Sequence, residues 1–189
     1  VTPQFWWYAA RASGIVAWAL AAASVIWGLL LSTRSARDLA RPVWVLDLHR
    51  FLGALALGAV AVHLGALAAD SFVHFSWADL FVPGASSWKT LPVAWGVVSF
   101  WLFVLVEVTS LLRARLSKRL WTRVHLLSFV AFVLATVHYL QAGTERTNPV
   151  LLLVVEATCA LVFGLTLLRI LLPRRTKRPR RPATDAAPA

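Results

Sequence analysis

Five histidines occur in this chain of 189 residues, and four of them lie in long apolar runs. His49 and His63 share one run, His125 and His138 another. Their spacings of 14 and 13 residues separate the members of each pair by about 20 Å along a helix rising ~1.5 Å per residue. That is most of a hydrocarbon core roughly 30 Å thick. An imidazole is costly in lipid and marks function there. Two helices, each with one imidazole near either membrane face, offer axial ligands at two levels for two b-type haems. Iron with both axial positions filled favours electron transfer over oxygen binding.

The elements that must position these side chains are membrane helices. Hydrophobic residues make up 59% of the chain, and its mean hydropathy of +0.71 exceeds what a soluble domain shows. Apolar runs at 11–32, 47–69, 91–112, 121–142 and 149–172 are each long enough to cross a bilayer. The expected fold is an all-α polytopic bundle of five transmembrane helices. The first run is too long for a signal-peptide core, and its basic flank follows rather than precedes it, so it reads as a retained span.

Of the 19 Lys and Arg residues, all but Arg11, Lys89 and Arg146 fall on one side if the spans alternate. The positive-inside rule then predicts an external N-terminus and a cytoplasmic C-terminus, in a multi-pass protein of the plasma (cytoplasmic) membrane. The net charge of +11 is split among juxtamembrane stretches, which argues against a nucleic-acid footprint. Residues 1–172 form the expected membrane domain. Residues 173–189, rich in Pro, Arg and Ala, are expected to be a disordered cytoplasmic tail. Phe5, Trp6, Trp7 and Tyr8 ahead of the first span, and Trp121 at the inner edge of the fourth, read as interfacial aromatics. The 70–90 connection is expected along the outer membrane surface, closed by the Pro83-Gly84 turn. Cys159 stands alone within the fifth span as a small packing residue.

Alternation makes the second and fourth spans parallel, so depths match: His49 with His125 at the inner side, His63 with His138 at the outer. At about 100° per residue, 14 residues return His63 to within ~40° of His49, whereas 13 leave His138 ~140° from His125. The fourth span therefore needs local overwinding or a bend. Gly53, Gly58 and Gly65, with Ala54, Ala56, Ala59 and Ala61, give the second span a thin profile for a flat macrocycle; ordinary close helix packing is the alternative. Arg50 and Arg123 are candidate partners of inner haem propionates, or plain positive-inside anchors. Glu107 is expected to pair with Arg113 or Arg50. Glu156 is a paired acid or a proton relay, and His74 an exposed loop residue.

The stretches LDLHRFLGALALGAVAVHLGALAAD (46–70) and TSLLRARLSKRLWTRVHLLSFVAFVLATVHYL (109–140) resemble the ferric reductase-like transmembrane domain family. That family includes NADPH oxidases, ferric reductases and the bacterial haem subunit serving periplasmic methionine sulfoxide reductase. The resemblance spans most of residues 10–142. It implies that His49, His63, His125 and His138 ligate the iron of two haems b, and that the chain passes electrons to an extracytoplasmic acceptor, a ferric chelate or a partner reductase. Family members often have six spans rather than five, and no nucleotide-binding G-x-G-x-x-G follows a strand here. The expected donor is therefore another protein or a membrane quinol. Two other readings of the histidines stand beside this one: a haem-free divalent-metal transporter, and a non-catalytic membrane anchor subunit.

Overall fold

A computed structural model describes residues 3–33, 42–145 and 147–171. The expected tail, 173–189, and the basic residues Arg34, Arg37, Arg41 and Arg146 lie outside the described residues. The fold is helical: α1 (Pro3–Thr33), α2 (Pro42–Ala69), a short α3 (Trp77–Phe81), α4 (Thr90–Leu111), a 3₁₀ turn (Arg113–Arg115), α5 (Lys118–His125), α6 (Leu127–Ala142) and α7 (Pro149–Leu171). Among the described residues, five helical stretches are long and apolar enough to cross a membrane, with α5 and α6 together forming the fourth.

Three spans begin on a proline, at the helical position where the missing N–H goes unmissed. Asn148 caps α7, its side-chain oxygen accepting from the Val150 and Leu151 amides at 3.0 and 3.3 Å. Ser76 and Asp79 form a reciprocal capping box on α3. Because α1 starts at Pro3, Phe5 to Tyr8 lie on the first helix itself rather than ahead of it. Lys89, in the left-handed region at φ 43°, donates from Nζ to the carbonyls of Gln141 and Ala142. It thereby closes the C-terminus of α6, where a cation is favoured.

Packing divides the bundle into two close pairs, α1 with α2 and α4 with α6; α1 also touches α6 and α7, while α2 meets α4 only sparsely. Trp18 joins the pairs. Its ring stacks on Phe132 and Tyr139 at 6.3 and 5.7 Å, and its indole N–H donates to Thr136 Oγ1 at 3.0 Å. With Ala22, Leu29, Val155 and Val162, Trp18 and Phe132 make the buried core. Large apolar side chains such as Val133, Leu153 and Phe163 point outward and are more than half exposed. A lipid-facing surface accepts this; a water-facing one of this extent would not.

The fourth span breaks at Leu126. The Leu126 amide still bonds to Thr122 O, but the Phe129 amide bonds to Leu126 O, a 3₁₀-type step. The break falls between the two histidines of this span, and it is what the 13-residue spacing demanded.

Candidate functional site

The break lets both histidines of the fourth span face those of α2. The rings of His49 and His125 lie 5.9 Å apart between centroids, with planes crossed at 76°. Those of His63 and His138 lie 6.5 Å apart, crossed at 77°. All four line one cavity of ≈ 690 Å³ between the helix pairs, within the ~300–1,000 Å³ of small-molecule and cofactor sites.

Each imidazole is held from behind. His63 Nδ1 donates to the Ala10 carbonyl at 2.7 Å, His138 Nδ1 to Pro92 O at 2.8 Å and His49 Nδ1 to Ser24 O at 3.0 Å. A carbonyl only accepts, so in these three rings the proton sits on Nδ1 and Nε2 keeps its lone pair. His125 Nδ1 lies 3.4 Å from Ser110 Oγ. Locking one ring nitrogen to orient the other is how metal-ligating histidines are prepared.

Glycines make room behind the rings. An ideal Cβ at Gly14 would sit 3.1 Å from His63 Cε1, one at Gly28 3.1 Å from His49 Cε1, and one at Gly96 2.7 Å from His138 Nδ1. Gly14 and Gly28 are 14 residues apart on α1, as His49 and His63 are on the antiparallel α2. The two spacings mirror one another.

Several sequence expectations need correction. Gly58 and Gly65 face open space, and Ala54 and Ala61 are exposed, whereas Gly53 and Ala56 are buried. On α2 only Gly53 meets a close neighbour, Glu107; the close approaches to the histidine rings come from Gly14 and Gly28 of α1 and Gly96 of α4. Arg123 is exposed and does not line the cavity, because two residues before His125 is about 200° around the helix. Arg50, Arg113 and Arg169 do line it. Arg50 also lies 3.7 Å from Asp47 in an exposed contact, worth little in water.

Trp121 proves more than an interfacial aromatic. One turn before His125, it stacks on that ring at 4.9 Å and 22°, with the Arg113 guanidinium 4.7 Å over its own centroid. Its buried indole N–H has no acceptor among the described residues, and it borders the cavity. Glu107 inserts against Gly53. Its expected pairing with Arg50 or Arg113 is not among the ion pairs of the described residues, which are Arg11–Glu145 and Arg50–Asp47. Glu156 and His74 are exposed and away from the cavity, so neither is brought to the histidines.

The donor set distinguishes between groups that imidazoles bind. Among the described residues, no three His, Cys, Asp or Glu side chains gather as a metal site. Each level brings together two imidazoles, fewer than the four donors of a structural site for a free metal ion. The ring pairs stand 5.9 and 6.5 Å apart between centroids, so His49 with His125, and His63 with His138, would each hold one group between them. The residues fit haem: opposed imidazoles, an apolar slot, cations at one end and an indole N–H awaiting an acceptor.

No family model matches this chain, nor does any curated protein or solved structure.

Proposed function

We propose that this chain is a transmembrane b-type cytochrome, related to the ferric reductase-like domains that its sequence resembles. It carries electrons across the plasma membrane, with the N-terminus outside and the C-terminus in the cytoplasm. The single observation behind the proposal is the pair of crossed, opposed imidazole couples on one apolar cavity. Bound haem would supply one-electron chemistry at each level. His49 and His125 would hold the inner group, His63 and His138 the outer one.

The chain's own residues orient and insulate. The carbonyls of Ala10, Ser24 and Pro92 fix ring direction, and Trp18, Phe132 and the surrounding aliphatic side chains keep water from the slot. Arg50, Arg113 and Arg169 set positive charge at the inner end, where propionates are best neutralised. Donor and acceptor meet opposite mouths: a donor protein or quinol inside, and outside a ferric chelate or partner reductase. At the outer mouth Trp7, Trp88 and the Arg11–Glu145 pair form the rim.

The test is a reduced-minus-oxidised spectrum of the purified full chain with haem quantified against protein. Two b-type haems per chain are expected, falling to one in His63→Leu and to one in His49→Leu. A folded wild-type sample without haem, or one that carries divalent metal into proteoliposomes instead, refutes the reading.

A further inference from the structure

Beside the central cavity, at the His49–His125 end, lies a second one of ≈ 350 Å³. Arg50 from α2, Arg113 from the 3₁₀ turn and Lys118 from the start of α5 line it together with the Ser110 hydroxyl, and no carboxylate does among the described residues. Its other walls include Leu111 and Leu116, and Leu111 is 83% exposed. The backbone that brings these groups together is hydrogen-bonded: Arg115 N to Leu112 O at 2.8 Å and Leu116 N to Arg113 O at 3.3 Å. Arg113 is further held over the Trp121 ring at 4.7 Å.

We infer that this cleft binds one phosphate group, that of an anionic phospholipid whose acyl chains lie along Leu111 and the neighbouring lipid-facing surface. Positive-inside topology accounts for basic loops in general; it does not make three cations from separate elements converge on one cavity. Guanidinium forks match phosphate oxygens, and basic pockets between spans hold anionic head groups. A soluble phosphate has the same head chemistry but no use for an apolar rim. Arg50, Arg113 and Ser110 line both cavities, whereas Lys118 lines this cleft alone and Arg169 only the central cavity, so the two sites adjoin and Lys118 is the residue that reports on the cleft.

Native mass spectrometry of the detergent-purified full chain tests it, with phosphatidylglycerol, phosphatidylcholine and inorganic phosphate titrated separately. Phosphatidylglycerol should bind at markedly lower concentration than phosphatidylcholine, and excess inorganic phosphate should displace it poorly. At about 1 kcal/mol per basic residue near a membrane surface, Lys118→Gln should weaken phosphatidylglycerol binding about fivefold with haem content unchanged. Arg119→Gln, an exposed neighbour outside the cleft, should leave binding intact. Equal binding of the two lipids, or an equal loss in Arg119→Gln, overturns the site. Displacement by inorganic phosphate at matched concentration overturns its assignment to lipid. Size-exclusion profiles and haem spectra of the variants confirm that each is folded.

Discussion

Replacing Gly96 by alanine probes the closest approach of a glycine to a histidine ring. The new Cβ would lie 2.7, 2.8 and 2.9 Å from His138 Nδ1, Cε1 and Cγ. Ordinary contact begins at 3.4 Å, so ring and helix must separate by 0.7 Å, the difference between 3.4 and 2.7 Å. The ring cannot retreat freely, because its Nδ1–H is bonded to Pro92 O at 2.8 Å on the same helix α4. Breaking that bond costs about 1 kcal/mol. The larger effect is on ligation: metal–ligand distances tolerate only about ±0.2 Å, roughly a third of the imposed shift. Gly96→Ala should therefore purify with about one haem per chain, the outer one missing. Gly58→Ala, whose Cβ meets nothing within 4 Å, should keep both, and its helix should gain about 0.5–1 kcal/mol. Gly14→Ala, at 3.1 Å, should fall between. Haem-to-protein ratios across the three variants decide the matter. Full haem content in Gly96→Ala, or loss of the inner rather than the outer group, would refute the geometry argued above.

Two further outcomes follow from the ring geometry and the inner cations. Were haem bound by these couples, imidazole planes crossed at 76° and 77° would leave two iron d orbitals nearly degenerate. Oxidised protein should therefore give the strongly anisotropic low-spin electron paramagnetic resonance signal of crossed ligands, and a rhombic signal at both levels would contradict these rotamers. Arg113→Gln should shift the inner midpoint potential negative by removing a cation from the cavity wall, whereas Arg123→Gln, on the far face of α5, should not; redox titration of both separates them, and equal shifts would mean that only bulk surface charge matters.

Much of the fold was legible because hydrophobic length is a direct consequence of the bilayer's thickness. Four of the five spans match their apolar runs to within about five residues at each end, whereas α1 starts earlier, because Phe5 to Tyr8 form its first turns rather than a prelude to it. The break at Leu126 could be anticipated for a different reason. Thirteen residues of ideal helix cannot aim His125 and His138 at one partner helix, so a continuous fourth span and a shared site were incompatible. What remained hidden is what depends on neighbours. Gly58 and Gly65 sit on α2 between and beyond its histidines, and nothing in that strip of sequence says which flank meets lipid. Gly14 and Gly28 carried the usable signal: their 14-residue interval repeats that of His49 and His63 on the next helix. In an antiparallel hairpin, equal intervals keep two pairs in register at both ends. A glycine that backs one histidine therefore places the second glycine behind the other. Arg123 lies off the cavity for the same reason that Trp121 lines it. Two positions before His125 is the wrong face of a helix and four is the right one, so helical phase rather than adjacency in sequence decides which neighbours share its cavity.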